Sequence, residues 1–340
     1  MDDEKFMRAA LREARRGAGQ TSPNPAVGAV IVRGGRIVAR GFHRGAGKPH
    51  AEIEALAALP NPTLANGSTI YVTLEPCSTH GRTPPCVAAL VKHGFARVVI
   101  GAIDPNPAHA GRGVGLLKKA GVEVVAGVLE EECRELNFAF NNWIVTGMPF
   151  VIAKAALSLD GRLTRPAGEG QWLSSAASRE DAHRLRASVD AILVGAGTVR
   201  ADNPRLTVRG VGAARQPWRI VLAGKNPLPK KAHVFTDEHR ERTLVFRGKT
   251  LRGVLRELGR NQITSVLIEG GGAVLGEAFD RRLVDRVHFY LAPVLCGGPD
   301  VIGGRGAGST VDSLALKNPR YEKIGGDVKM VAECSVKDAL

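Results

Sequence analysis

The chain has 340 residues, 44% of them hydrophobic, with 47 Lys and Arg against 33 Asp and Glu and a formal charge of +14. That composition excludes disordered and collagen-like chains, and the length suits two domains, each with its own core. The longest apolar runs, such as 98–100 and 191–194, fall far short of the ~20 residues that cross a bilayer. Met1-Asp2-Asp3-Glu4-Lys5 offers no apolar signal core, so the expected address is the cytoplasm, with no membrane partner.

Phe6, Ala9, Ala10 and Ala14 recur at helical spacing and predict a helix over 6–16, ended by Gly17. Two strands, 27–32 and 36–41, flank the tight-hairpin signal Gly34-Gly35. There follow a helix over 51–59, a strand over 69–74, a helix over 87–92, a strand over 98–102, a helix over 114–120, a strand over 122–126 and one helix over 130–141. The alternation predicts an α/β layer architecture with parallel pairing. Turn chemistry at Thr146-Gly147-Met148-Pro149 separates an expected first domain, 1–146, from a second, 147–340. The second half alternates again, with strands at 150–158, 190–195, 218–222, 243–247, 264–269 and 285–292 and helices at 175–188, 250–258 and 273–281. Two stretches rich in Gly and Pro, 203–216 and 296–309, read as mobile loops over a site.

Five cysteines, an odd number and widely scattered, do not make a disulfide framework. Two of them belong to a pattern. His50-Ala51-Glu52 stands at an expected helix start, Glu75-Pro76-Cys77 at a strand end and Pro84-Pro85-Cys86 before another helix. One imidazole and two thiolates give Zn²⁺ three ligands and leave the fourth position open, as in a catalytic site. Helix N-termini favour thiolates, and Glu52 in the same first turn is placed to take a proton from activated water and pass it on. The alternative is a surface histidine with two core cysteines. The pattern follows the H-x-E…P-C-x-x-C signature of zinc deaminases, except that eight residues, 78–85, part the two cysteines.

Thr21-Ser22-Pro23-Asn24-Pro25, Gly47 to Glu52, Thr73 to Cys77, Gly81-Arg82-Thr83-Pro84-Pro85-Cys86 and Asp104-Pro105-Asn106-Pro107 together resemble the bifunctional deaminase–reductase family of riboflavin biosynthesis. The resemblance covers nearly the whole chain. It implies a cytidine-deaminase-like α/β/α sandwich that hydrolyses the 2-amino group of a diaminopyrimidinone ribosylamine 5′-phosphate. In it, His50, Cys77 and Cys86 hold zinc, Glu52 is catalytic, and Asn24, His43, His80, Arg82 and Asp104 contact the phosphorylated pyrimidine.

In the second half, Glu269-Gly270-Gly271-Gly272 leads from a strand into a helix, a turn whose N–H groups suit phosphate. Gly195-Ala196-Gly197-Thr198 is a second such turn, yet no complete Rossmann or P-loop motif is present. Lys154 to Gly161, Gln171-Trp172, Thr198 to Arg209 and Glu269-Gly270-Gly271 resemble the family's reductase domain, which implies a dihydrofolate-reductase-like fold using NADPH. By that resemblance Ala156, Trp172, Thr198, Asp202 and the turn Gly271, Gly272, Ala273, Val274, Leu275, Gly276 and Glu277 hold the cofactor. Gly170, Arg186, Leu206, Arg209 and Glu269 hold the ribose phosphate, and Lys154 or Asp202 positions the sugar or moves its proton during hydride delivery to C1′. The chain departs from the family pattern at Thr79, Gly170 and Gly224.

Two other classes compete. A nucleic-acid base deaminase shares the zinc chemistry and the basic charge, but the cations are dispersed, aromatics make up 5% of the chain and the second domain would be unused, so no nucleic-acid partner is expected. A zinc-stabilised scaffold needs a fourth ligand, and no further Cys or His has ligand-like spacing. The family resemblance also implies a homo-oligomer.

Overall fold

The structure, a computed structural model, describes residues 2–79, 85–163, 172–213, 215–297 and 301–335. His80, Arg82 and Gly170 therefore lie outside the described residues. The chain divides into two units, Met1–Gly147 and Met148–Leu340.

Unit 1 begins with α1 (Asp3–Arg15), capped by the Asp2 carboxylate, which accepts from Lys5 N. After the hairpin β1 (Gly28–Arg33) and β2 (Arg36–Phe42) come α2 (Ala51–Ala57), β3 (Thr69–Leu74), α3 (Cys86–Lys92), β4 (Arg97–Ala102), α4 (Arg112–Lys119) and β5 (Glu123–Ala126). The strands form one sheet in the order β2-β1-β3-β4-β5. It is mixed, not wholly parallel: β1 runs antiparallel to both β2 and β3, and parallel pairing begins with β3, β4 and β5. Alternate residues of each strand enter two cores. Val30, Val32 and Tyr71 join Phe6, Met7 and Leu11 of α1 on one face, while Ile31, Ile70 and Val72 join Ala51, Ala55 and Leu90 on the other. A sheet covered by helices on both sides results.

The single helix expected over 130–141 is two: α5 (Glu130–Leu136) and α6 (Phe138–Thr146). Asn137 divides them because its amide is needed elsewhere. It accepts from Ala26 N at 2.8 Å and donates to Ala26 O at 3.0 Å, satisfying a buried backbone segment beside the first cavity. Gly147, left-handed at φ 69°, ends α6.

Unit 2 contains β6 (Phe150–Ser158), α7 (Ala176–Ser188), β7 (Ala191–Gly195), α8 (Ala196–Asp202), β8 (Trp218–Ala223), α9 (His233–Thr236), β9 (Thr243–Arg247), α10 (Leu251–Arg260), β10 (Ser265–Ile268), α11 (Gly272–Asp280), β11 (Arg286–Ala292), β12 (Leu316–Ile324) and β13 (Asp327–Cys334). The sheet order is β12-β13-β11-β6-β10-β7-β8-β9, parallel from β11 to β9 and antiparallel at β11-β13-β12. The last hairpin carries no readable apolar alternation, because β12 is exposed at every residue but Ile324. The turn expected at 195–198 is instead the start of α8, with Gly195 as its N-cap.

Candidate active sites

The first cavity begins with a close approach. A Cβ on Gly41 would lie 2.3 Å from Ala55 N and 2.4 Å from Ala51 O, so only glycine lets α2 press against β2. That contact fixes the head of α2, with His50 as its N-cap in extended backbone and Glu52 in its first turn. Cys77 follows β3, and Cys86 is the first residue of α3.

These elements bring His50 Nδ1 within 3.5 Å of Cys77 Sγ and 3.3 Å of Cys86 Sγ, with the three donor atoms all within 4.8 Å of one another. Cys86 N donates to Cys77 Sγ at 3.2 Å. Zn–S and Zn–N bonds of about 2.3 and 2.0 Å at tetrahedral angles set nitrogen and sulfur about 3.5 Å apart, so the donor set fits a zinc ion. The Cys86 thiol and N–H, with His50, hold Cys77 toward the thiolate. The same partnership and burial push Cys86 the other way, so that the pair retains one proton that a cation would displace. Burial, with Cys77 nearby, pushes the Glu52 carboxyl above its ordinary range.

Asn24, His43, Glu52, Cys77 and Asp104 share with His50 the lining of a cavity of ≈ 230 Å³. Both ring nitrogens of His43 are engaged within the chain. Its Nδ1–H donates to Pro49 O at 2.9 Å, its Nε2 accepts from the Asn24 amide at 3.0 Å, and burial lowers its pKa. It packs edge-on against His50, ring centroids 5.4 Å apart, and so supports the ligand ring. Asp104 is buried, which raises its carboxyl, and it accepts from Asn106 N at 2.9 Å. Sequence reading gave Glu75 no role, yet its carboxylate accepts from Gly111 N at 2.9 Å and Val114 N at 3.1 Å. It thereby ties the head of α4 to the segment carrying Cys77; an acid before Pro-Cys was the only signal.

The second cavity, ≈ 520 Å³, lies among β6, α7, α8, Tyr290 of β11 and the segments that follow α8 and β10. Lys154, Ala156, Trp172, Thr198, Asp202 and Arg209 are among its walls. At its base Glu269 receives Arg186 Nε at 2.6 Å and Nη2 at 2.8 Å, with Lys154 Nζ 3.8 Å away. Burial works to raise the Glu269 carboxyl, but Arg186 and Lys154 outweigh it and hold it at about 2. Burial lowers Lys154 against the pull of Glu269. The Arg186 fork is thus committed to Glu269, and its Nη1 donates to Thr207 O at 3.0 Å, so it acts on a phosphate through those partners more than directly. Arg209 also lines the cavity, where burial and the nearby Arg186 and Arg205 lower its guanidinium.

The cofactor expectation over Gly271–Glu277 narrows. Gly271 lines the cavity, its N–H donating to Thr198 Oγ1 at 3.1 Å. Leu275 is fully buried in the core, and Val274 packs against Gly195 and Gly270. A Cβ on Gly276 would fall 2.2 Å from the Gly303 carbonyl carbon, and Glu277 pairs with Arg281 at 2.9 Å. These positions belong to α11 and its packing, because a helix turns successive side chains to different faces. The Gly-headed helix, open at Gly271 beside Thr198, still suits the phosphates of a dinucleotide. Sequence reading missed His183, which lines this cavity and which burial, with Arg186 and Arg209 close by, holds neutral at about 4.

Comparison with known proteins places both halves. The cytidine and deoxycytidylate deaminase zinc-binding region matches residues 1–102, and the RibD C-terminal domain matches 149–330. The riboflavin biosynthesis protein RibD of Bacillus amyloliquefaciens is 42% identical, over 97% of this chain and 96% of its own. That of Escherichia coli K12 is 41% identical, over 87% and 89%. Among solved structures, RibD of Acinetobacter baumannii superposes with a TM-score of 0.89 at 36% identity, covering 98% of this chain and 99% of that one. The Thermotoga maritima diaminohydroxyphosphoribosylaminopyrimidine deaminase/5-amino-6-(5-phosphoribosylamino)uracil reductase gives 0.88 at 36% identity, covering 98% of each.

Proposed function

The chain belongs to the RibD family of riboflavin biosynthesis proteins, and from that premise we propose how the residues of its two cavities divide the work. The protein is a bifunctional enzyme, a zinc-dependent deaminase of cytidine-deaminase-like fold followed by an NADPH-dependent reductase of dihydrofolate-reductase-like fold. Its substrate is a small phosphorylated pyrimidine.

In the first cavity, zinc held by His50, Cys77 and Cys86 supplies the Lewis acidity that makes water nucleophilic near neutral pH. Glu52 takes the proton of the attacking water and returns it to the 2-amino group, which leaves as ammonia. Asn24 and Asp104 orient the pyrimidine. The observation that carries this reading is the buried Glu52 sharing one small cavity with His50 and Cys77, whose donor atoms lie within 4.8 Å of the Cys86 thiol.

In the second cavity, a bound NADPH would supply the reducing hydride for C1′ of the ribosylamine. Ala156, Trp172, Thr198, Asp202 and Gly271 bind the cofactor, and Arg209 meets the substrate phosphate. Lys154, poised beside Glu269, gives its proton to the ribose ring oxygen as the C1′–O bond breaks and the nitrogen lone pair forms C1′=N, so that a hydride can add to C1′ and leave the ribityl amine. Arg186 keeps Glu269 ionised and fixed. The domain division at 146/147 follows the same separation of chemistries.

The reading extends to a homo-oligomer, supported by the exposed outer strand β12 with Leu316 and Tyr321 open to solvent. It also extends to the cytoplasm, where Cys77 and Cys86, which form no disulfide, stay reduced and able to bind metal.

The test is incubation of zinc-loaded protein with the diaminopyrimidinone ribosylamine 5′-phosphate, with and without NADPH, followed by mass spectrometry. Ammonia release alone is expected first, then a gain of two hydrogens when NADPH is present. Reduction preceding deamination, or no ammonia at all, overturns the assignment.

A further inference from the structure

The segment Arg205 to Arg209 follows α8 outside regular secondary structure, and it contains Leu206, buried and left-handed at φ 52°. A bulky residue in that conformation is strained and persists only where the surroundings hold it. What holds it is a set of side chains bonded to the backbone of the residues on either side. The buried Arg219 donates from Nη1 to Arg205 O at 3.1 Å, and Arg186 donates to Thr207 O at 3.0 Å. The Gln216 amide grips Val208 twice, accepting from its N–H at 2.7 Å and donating to its O at 3.1 Å, as a neighbouring strand would. His183 Nδ1 accepts from Arg209 N at 3.2 Å, and Arg209 Nη1 then folds onto Thr207 Oγ1 at 2.7 Å. Four side chains drawn from α7, β8 and the loop before it replace the ladder this segment lacks.

We propose that His183 and Gln216 are positioning residues for reduction: they clamp the 205–209 arm so that the Arg209 guanidinium is already in place for the substrate phosphate. The inference rests on the reading of Arg209 as the phosphate contact. His183 serves because an unprotonated Nδ1 can accept the Arg209 N–H, whereas an imidazolium could not and would add a charge beside Arg186, Arg209 and Lys154. The burial and cationic surroundings that hold it neutral are therefore part of the same device. Gln216 serves because its amide carries one donor and one acceptor at strand-like separation. An arm fixed before binding loses no further freedom when the phosphate arrives, and the gain appears in affinity for the anion.

The test is steady-state reduction by the full-length, zinc-loaded enzyme, with Arg209→Ala, His183→Ala, His183→Asn, Gln216→Ala and the unaltered protein in parallel. His183→Ala, which loses one hydrogen bond, is expected to raise KM for the deaminated phosphate substrate about tenfold, and Gln216→Ala, which loses two, by at least as much. kcat, KM for NADPH and ammonia release should stay near the unaltered values. With the dephosphorylated substrate the clamp variants and the unaltered protein should converge. His183→Asn, whose Oδ1 can sit where Nδ1 sat, should recover most of the affinity. If Arg209→Ala raises KM while both clamp variants leave it unchanged, or raise the NADPH KM equally, the clamp is wrong and the reading of Arg209 stands. If Arg209→Ala itself leaves KM unchanged, the reading of Arg209 fails and the clamp falls with it.

Discussion

The two cavities solve opposite electrostatic problems by opposite structural means. The first collects acceptors, with His50, Cys77, Cys86, Glu52 and Asp104 around a space suited to a cation. The second collects cations, with Lys154, Arg186 and Arg209 around one carboxylate, Glu269, in a space suited to phosphate and a dinucleotide. In the first, each ligand sits at a helix head or strand end, so local backbone geometry does most of the placing. In the second, placement is by long side chains reaching other segments, Arg186 to Glu269 and Thr207, Gln216 to Val208, His183 to Arg209. A site built on helix heads tolerates little change in ligand type, whereas one built on long side chains depends on a network of partners.

The strongest way to break that contrast is to remove a ligand. Cys86→Ser is expected to lose zinc and abolish ammonia release, since a three-ligand site cannot give up a thiolate, while NADPH oxidation with the deaminated substrate continues. Elemental analysis beside the two half-reactions decides it; stoichiometric zinc with full turnover would show that Cys86 is no ligand. Glu52→Gln should keep the metal and slow deamination roughly 10²–10⁴-fold, the usual contribution of a positioned acid–base group. Loss of zinc in that variant would make Glu52 structural, and an unchanged rate would remove it from the mechanism.

Unit 2 should fail through its network. Arg186→Met leaves the Glu269 carboxylate buried with Lys154 at 3.8 Å as its remaining cation. Unfolding of this unit in denaturant should then cost about 3–5 kcal/mol less, the penalty of an uncompensated buried charge. The exposed pair Arg44–Glu54 of unit 1, broken by Arg44→Met, should change stability by less than about 1 kcal/mol. Equal effects from the two would remove the distinction between the units.

A pH dependence sharpens the comparison from within unit 2. Burial, with Lys329 and Arg286 nearby, lowers His288 from 6.5 to about 4, and its Nδ1 is buried without a hydrogen-bond partner among the described residues. The unfolded chain takes up that proton first as pH falls below 6.5. Stability from this group is therefore complete above pH 6.5 and is lost as pH falls to about 4, by an amount on the order of 3 kcal/mol. Asp285 works in the reverse sense, since burial raises it from 3.8 to about 6 and its contribution is lost as pH rises through that window. The difference between the unaltered protein and His288→Leu isolates the histidine; parallel stability–pH curves would show that His288 is not held neutral by the fold.

Much of the molecule was legible in the chain. The hairpin about Gly34-Gly35, the strands at 150–158 and 243–247 and the ligand triad all carry local signals: turn glycines, apolar runs and ligand residues next to helix starts. The split of α5 from α6 was not legible, because Asn137 leaves the helix to satisfy Ala26, 111 residues earlier. Nor was β12, whose exposed residues repeat no pattern and which exists because β13 offers it a ladder. The 203–216 stretch has the composition of a loose loop, yet tertiary structure grips its first half through Arg219, Arg186, Gln216 and His183. By itself the sequence determined which chemical groups the protein owns and which short segments carry them, since propensity and motif act over a few residues. Which arginine meets a carboxylate and which stays open to an anion, and which histidine accepts and which supports, only the tertiary structure decided. Those assignments depend on burial and on hydrogen-bond partners far away in the chain, and neither has a local signature.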